Sequence, residues 1–157
     1  MENKCIKALG KMTYGIYVLT TCYEDEINGM IASWASQISY VPPLVLVAIH
    51  PNRYSHHLIE QSGCFALHAL ANDQTEFLSR FKGDDPRGKF SGIRWSKGKT
   101  GCPILYDCVA VVECTVKIAY RPGNHTVFIG EIVDAERFSD RHPLTTLDYE
   151  GQYLGKS

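Results

Sequence analysis

Hydrophobic stretches separated by short polar or Pro- and Gly-containing segments along this chain are typical of β-strands joined by turns. Strands are predicted where β-branched and aromatic residues gather, over residues 15–21, 30–39, 65–70, 109–119 and 126–137. One further run, residues 44–49, is continuously apolar, which predicts a strand buried on both faces. Six or so strands with few helices favour a closed antiparallel β-barrel.

Turn signals separate these strands. Residues 23–26 are mostly charged and predict a hairpin tip, with Asn28-Gly29 closing back into the next strand. Pro42-Pro43 cannot donate ladder hydrogen bonds and therefore ends a strand. Residues 82–101 are rich in Gly, Lys and Asp and predict a long surface loop. Residues 144–154 predict a final arm that packs over a neighbouring segment.

Two short helices are predicted. Residues 54–61 have helical spacing and end before Gly63, a typical C-terminal cap. Asp73, followed three residues later by Glu76, resembles a capping box for a helix that ends near Phe81. The chain contains neither a repeat nor an internal linker, so we predict a single domain over residues 1–157.

The most informative segment is the predicted strand of residues 30–39, because small residues stand where a core strand would carry bulk. Side chains as small as Ala32, Ser33, Ala35 and Ser36 let a flat ligand lie against the backbone. Residues 51–56 form a polar loop that opens a helix, a place that can hold a phosphate. A flat ring beside a phosphate suggests flavin mononucleotide (FMN). The alternatives are a tight barrel corner and an ordinary capped helix.

These features, in this order, resemble the flavin reductase-like FMN-binding split barrels. That family includes NAD(P)H:flavin oxidoreductases, flavoredoxins, ferric reductases and the flavin domain of high-molecular-weight rubredoxins. Residues 11–21 resemble its opening strand and residues 123–134 a late strand, so the resemblance covers nearly the whole chain. It implies a mainly β fold, an antiparallel Greek-key split β-barrel with two or three short helices.

The resemblance also implies a set of cofactor-binding residues. The strip of small residues would border the flavin ring, the polar loop would hold the phosphate, and three residues near the long loop would close over the cofactor. These candidates are Ala32, Ser33, Trp34, Ala35, Ser36, Asn52, Arg53, Tyr54, Ser55, His56, Phe81, Lys82 and Lys89. Core packing for Phe81 and simple solvation for the lysines are the alternatives.

His125 is the candidate catalytic residue. It opens a strand directly after a Pro-Gly-Asn turn and matches a family histidine beside the open face of the flavin, where nicotinamide stacks. Hydride transfer needs two rings parallel and close, so an imidazole there would position the nicotinamide. A histidine that only stabilises the turn is the alternative.

Composition narrows the functional class. The net charge of −1 argues against a nucleic-acid scaffold, and no apolar run approaches the roughly 20 residues of a membrane span. No hydrophobic signal region follows the N-terminus, which predicts a cytoplasmic protein. The six cysteines form no C-x-x-C pair, and His50, His56 and His57 are not expected to converge with Cys64. We therefore expect no metal and expect the cysteines to be reduced core residues.

We therefore predict a homodimeric, FMN-dependent oxidoreductase. Hydride would enter from NADH or NADPH and leave to free flavin, ferric iron or a small redox protein such as rubredoxin. One alternative is a flavoredoxin-type electron-transfer flavoprotein without direct nicotinamide activity, which residues 10–21 resemble closely. A remoter alternative is a non-redox module that stores flavin or another flat ligand.

Overall fold

The computed structural model describes residues 2–148. These residues form three α-helices, two short 3-10 helices (Gly88–Phe90 and Thr146–Asp148) and nine strands. In chain order the elements are α1 (Glu2–Leu9), β1 (Tyr17–Tyr23), β2 (Glu26–Ala32), β3 (Ala35–Tyr40), β4 (Pro43–Ile49), α2 (Tyr54–Ser62), β5 (Cys64–Ala69), α3 (Glu76–Arg80), β6 (Trp95–Lys97), β7 (Pro103–Leu105), β8 (Ala110–Tyr120) and β9 (Thr126–Arg137). The prediction of a single domain over residues 1–157 stays a prediction, because residues 149–157 lie outside this range.

Seven strands form one antiparallel sheet in the order β2-β1-β5-β8-β9-β4-β3, and β6 pairs separately with β7. Its edge strands, β2 and β3, are separated in the chain only by Ser33 and Trp34. A flat sheet of this size would place its edges roughly 29 Å apart, whereas this link spans at most about 11 Å. The sheet therefore curls into a barrel that is split between β2 and β3. The predicted fold class, a mainly β antiparallel split barrel, is confirmed.

Two apolar clusters hold the barrel together. Leu19, Phe65 and Phe128 belong to the cluster between the strands, which Ile59 of α2 joins. The second cluster lies on the other face of β1 and β2, where Phe81 and neighbouring aromatic rings of α3 and the following loop are buried. Because β1 carries apolar residues on both faces, it connects the barrel interior to this outer layer.

The Asn28-Gly29 pair does not form the predicted turn. The hairpin between β1 and β2 turns at Glu24, which has a φ of 52°, whereas Asn28 and Gly29 lie inside β2. A Cβ on Gly29 would lie 2.7 Å from the ring of Phe81, so the glycine is required for close packing. The tertiary contact with the ring of Phe81 thus decides what Gly29 does.

The predicted strand of residues 30–39 and the apolar run of residues 44–49 also differ in detail. The first is interrupted at Ser33 and Trp34, where the chain crosses from one sheet edge to the other. In β4, Val45, Val47 and Ile49 are buried while the alternate residues are only half-buried, so the prediction of burial on both faces was wrong. The outer face of β4 carries apolar residues even though no element of the described chain covers it fully.

The helix predictions were partly right. The α2 helix has the predicted position and is followed by Gly63 in a left-handed conformation, φ 67°. The predicted capping box at α3 is absent: Thr75 precedes the helix without a side-chain cap. Gln74 orders this segment instead, because its Oε1 accepts from the amide of Ala71 at 2.8 Å. The exposed α1 helix was not predicted.

The long loop and the tail contain more structure than expected. Residues 82–101 include the short strand β6. At the start of the predicted arm, the buried Leu144 donates its amide to Leu70 O at 2.7 Å and accepts from the amide of Ile16 at 2.9 Å. Of that arm, residues 149–154 lie outside the described residues. No helix within residues 2–148 combines the length and the apolar character needed to cross a membrane.

Candidate functional site

A cavity of about 550 Å³ opens at the split of the barrel, between β2 and the start of α2. This volume falls in the range of roughly 300–1,000 Å³ that is usual for small-molecule sites. The loop after α3 and the start of β9 complete its walls. The predicted site residues that line it are Ala32, Ser33, Trp34, Asn52, Arg53, Tyr54, Ser55, Phe81, Lys82, Lys89 and His125.

The other three predicted site residues, Ala35, Ser36 and His56, do not line this cavity. Ala35 begins β3 and packs against the barrel core, and Ser36 is exposed. His56 is buried, with Nε2 lying 2.7 Å from Thr126 Oγ1 and Nδ1 lying 3.1 Å from Glu60 Oε1. Burial lowers the pKa of His56, although Glu60 partly opposes this shift. His56 therefore fastens α2 to β9, and the sequence could not indicate on which side of the helix it would lie.

One wall of the cavity is the link between the two sheet edges. Ser33 and Trp34 belong to neither β2 nor β3, and Trp34 O accepts a hydrogen bond from the amide of Ala48 at 2.9 Å. Ala32 and Ser33 are buried and small, while Trp34 is 40% exposed. Because the side chains of Ala32 and Ser33 are small, a ligand in the cavity can approach the backbone there closely.

The opposite end of the cavity is suited to an anion. Arg53 has an extended backbone and stands directly before α2, with its amide bonded to His50 O at 3.0 Å. Tyr54 and Ser55 are the first two helical residues, whose amides have no partner within the helix. The guanidinium of Arg53 and the positive end of the helix dipole thus lie at the same end of the cavity.

A buried network lies between this helix and the long loop. Lys89 Nζ donates to Asn28 Oδ1 at 3.0 Å and to Gly29 O at 2.8 Å, and Asn28 Nδ2 donates to Ser55 Oγ at 2.9 Å. Burial lowers the pKa of Lys89, and the nearby carboxylate of Asp84 opposes the shift. Sequence reasoning missed Asn28, whose signal was a polar residue in the middle of an otherwise apolar strand.

Three aromatic side chains surround the mouth of the cavity. The ring of His125 lies 4.7 Å from that of Trp34 at 52°, and 5.2 Å from that of His50 at 85°. His125 Nδ1 lies 2.8 Å from Asn124 Oδ1, an acceptor, so Nδ1 carries the proton and Nε2 has a free lone pair. Burial, followed by the charges of His50 and Arg53, lowers the pKa of His125, which favours its neutral form. Sequence reasoning missed the place of His50 in this group.

Together these residues can hold one kind of ligand. A planar ring fits against Ala32 and Ser33, and an anionic group fits beside Arg53 and the start of α2. The open mouth leaves room for a second molecule beside the His125 ring. This combination suits a phosphorylated planar cofactor that reacts with a separate substrate.

Comparison with known proteins agrees with this geometry. The family model described as the flavin reductase like domain matches residues 9–156. A ferric-chelate reductase (NAD(P)H) of Archaeoglobus fulgidus is 33% identical over 156 residues, which cover 97% of this chain and 92% of that protein. The high molecular weight rubredoxin of Moorella thermoacetica is 31% identical over 147 residues, covering 91% of this chain and 64% of that protein.

Solved structures give the same result. The NADH:FAD oxidoreductase of Streptomyces globisporus, in complex with NAD and FAD fragments, superposes with a TM-score of 0.82 at 28% identity. The match covers 92% of this chain and 87% of that one. The suggested resemblance is confirmed: this chain belongs to the flavin reductase-like domain family.

Proposed function

We propose that this chain is an FMN-dependent NAD(P)H oxidoreductase of the flavin reductase type. The observation that carries the proposal is a single cavity that combines a strip of small residues, an anion-binding helix start and a neutral imidazole at an open mouth. The names of its relatives support the reaction class, since they include an NAD(P)H-dependent ferric-chelate reductase and an NADH:FAD oxidoreductase.

In this proposal the flavin ring lies against Ala32, Ser33 and Trp34, with its phosphate beside Arg53 and Ser55. Asn52, Tyr54 and Lys82 border the phosphate and the ribityl chain, and the buried Phe81 supports the cavity wall. FMN is preferred over FAD because the anion-binding end has one short loop and one helix start. The Streptomyces relative is named for FAD, so this preference is a specific prediction about this chain.

The flavin, when bound, supplies the ring that accepts hydride. The residues of the chain arrange the donor. His125 and Trp34 form a wall at the mouth against which a nicotinamide can be oriented, and the neutral Nε2 of His125 can accept a hydrogen bond from its carboxamide. Positioning of this kind supplies a large part of the rate when two rings must be parallel and close.

We also propose a homodimer. Seven apolar residues on the outward-facing rows of β4, β8 and β9 are half-buried or exposed: Leu44, Leu46, Ile118, Tyr120, Val127, Ile129 and Val133. Leu46 pairs with Ile129 and Ala48 with Val127, and Ala48 also lines the cavity. A second copy seated on this face would therefore border the flavin site.

Light scattering at micromolar concentration tests the dimer. The wild type should run as a dimer, and Ile118→Lys, on the proposed interface, should shift it toward monomer. Ile6→Lys provides the control, because Ile6 is exposed to a similar degree but lies on α1. A wild-type monomer that binds FMN tightly would contradict this part of the proposal.

A cytoplasmic location completes the proposal. All six cysteines are free thiols, including the buried Cys108 and Cys114, as a reducing compartment would keep them. Final acceptors of the required chemistry are free flavin, ferric iron or a small redox protein.

An electron-transfer flavoprotein that exchanges electrons with a protein such as rubredoxin is the less favoured candidate, because the named relatives include reductases that use NAD(P)H or NADH. Stopped-flow mixing of the FMN-loaded protein with NADH, NADPH and a reduced rubredoxin separates the two. Rapid bleaching of the flavin by a nicotinamide supports the reductase, and bleaching by the protein donor alone supports the carrier. If no donor reduces the flavin, the chain only binds it and both redox proposals fail.

A further inference from the structure

Three cysteines that are distant in the sequence meet outside the flavin cavity. Cys22 lies in β1, Cys64 begins β5 and Cys102 directly precedes β7. Their sulfur atoms all lie within 4.8 Å of one another, and those of Cys64 and Cys102 are 3.5 Å apart. Within residues 2–148 this is the one group of three His, Cys, Asp or Glu side chains close enough to share a metal ion.

The spacing of these sulfurs suits a tetrahedral thiolate site. A zinc ion with Zn–S bonds of about 2.3 Å holds its sulfurs about 3.8 Å apart and holds an oxygen ligand about 3.6 Å from each sulfur. The carbonyl oxygen of Thr100 lies 3.8 Å from Cys22 Sγ and 3.6 Å from Cys64 Sγ. Its distances to these two sulfurs are those expected of a fourth ligand.

The turn that carries Thr100 is fixed by hydrogen bonds to a buried glutamate. Glu113 is 4% exposed, and its Oε1 accepts hydrogen bonds from Thr100 N at 2.9 Å and from Thr100 Oγ1 at 2.6 Å. Gly101 has a φ of 85°, and a Cβ there would lie 3.3 Å from Cys22 Sγ. Outer contacts of this kind orient the ligands of metal sites.

We propose that Cys22, Cys64 and Cys102, with the carbonyl of Thr100, bind one Zn(II) ion that clips β1, β5 and the β6–β7 hairpin together. Thiolates select soft or borderline ions over Mg²⁺ and Ca²⁺. Four protein ligands close the coordination sphere, which is typical of structural rather than catalytic zinc. Binding replaces three thiol protons with one Zn²⁺, so the protons leave to solvent and the site carries a net charge of −1. Cys22 is only half-buried, which gives the ion a path of entry.

The test uses the full chain with its flavin, and the cysteines are kept reduced. The protein is dialysed against zinc chloride and then against metal-free buffer. Mass spectrometry of the metal content should find one zinc per chain, and zinc should raise the temperature of thermal unfolding. Cys22→Ser, Cys64→Ser and Cys102→Ser should each weaken zinc binding roughly a hundredfold or more.

Two control variants also remove one thiol each, but from outside the cysteine cluster. Cys5→Ser removes an exposed thiol of α1, and Cys108→Ser removes a buried one whose Sγ instead donates to Leu105 O at 2.9 Å. Both controls should keep the zinc. A wild-type chain that retains no zinc overturns the proposal, as does a Cys22→Ser variant that binds zinc as tightly as the wild type. Because Cys22 is half-buried, that variant should fold, and the thermal shift of the wild type provides a readout that needs no variant.

Discussion

The ammonium of Lys89 donates to the side-chain oxygen of Asn28 at 3.0 Å, deep in the wall of the proposed flavin cavity. Asn28 passes the connection on by donating its amide to Ser55 Oγ at 2.9 Å. The long loop, β2 and α2 are thus joined by two hydrogen bonds through one asparagine. We interpret Lys89 as a residue that holds the cavity in shape, whereas the sequence predicted that it would close over the cofactor.

Replacing Lys89 with Met should destabilise the protein, because Asn28 Oδ1 and Gly29 O would lose their buried donor. Leaving such acceptors unsatisfied costs about 1–3 kcal/mol in the free energy of unfolding, which chemical denaturation measures. FMN affinity should fall as well, since the network borders the cavity. Lys11→Met is the control: Lys11 is exposed and lies outside the cavity, so its loss should change stability and FMN affinity little. Equal stability of Lys89→Met and the wild type would mean that the network is not structural.

Replacing Arg53 with Ala should weaken FMN binding more than it lowers the thermal stability of the flavin-free protein. A charge-assisted contact to the phosphate contributes about 1.5–3 kcal/mol, so the dissociation constant should rise roughly ten- to hundredfold in a fluorescence titration. Arg137→Ala is the control, because Arg137 is exposed near the end of β9 and pairs with Asp140. An unchanged dissociation constant in Arg53→Ala would show that the phosphate does not bind at this end of the cavity.

Replacing His125 with Ala should slow flavin reduction by NADH or NADPH roughly ten- to hundredfold while FMN affinity stays nearly intact. The reason is position: the ring stands at the mouth beside Trp34, on the open side of the cavity. Dithionite should reduce the variant at the wild-type rate, because dithionite needs no nicotinamide site. His142→Ala, at an exposed histidine outside the cavity, should behave like the wild type. Loss of FMN from His125→Ala would instead make His125 a cofactor ligand.

The buried His68 should make the protein sensitive to mild acid. Its Nε2 accepts from the amide of Leu105 at 3.1 Å, so its Nδ1 carries the proton and donates to Val18 O at 3.1 Å. Burial lowers the pKa of His68 from 6.5 to about 4. In the unfolded chain His68 takes up a proton near pH 6.5, whereas in the folded protein it stays neutral down to about pH 4. The stability it contributes is complete above pH 6.5 and is lost as the pH falls toward 4.

Protonation of His68 should lower the free energy of unfolding by about 3 kcal/mol between pH 6.5 and pH 4. Denaturant unfolding from pH 8 to 4 measures it as the difference between the wild type and His68→Gln, which should narrow as the pH falls. Parallel curves for the wild type and His68→Gln would show that His68 does not titrate in this way.

Much of this protein could be predicted from local sequence patterns. Runs of β-branched, aromatic and apolar residues predicted most of the strands of the main sheet, and Gly63 marked the end of α2 because few other residues adopt its left-handed backbone. Ala32 and Ser33 of the small-residue strip and the polar loop of residues 51–56 indicated part of the cavity wall, since each segment is continuous in the chain. These features depend on neighbours only a few residues away.

Other features were decided by contacts between distant segments. Gly29 was predicted as a turn residue, yet it lies within a strand because the ring of Phe81 packs against it. His56 was predicted to face the cofactor, yet its position on α2 turns it toward Thr126. Cys22, Cys64 and Cys102 have no metal-binding spacing in the sequence and meet only because the barrel closes. Periodicity tells which residues share a face of one element, but the register and closure of the barrel determine what that face meets.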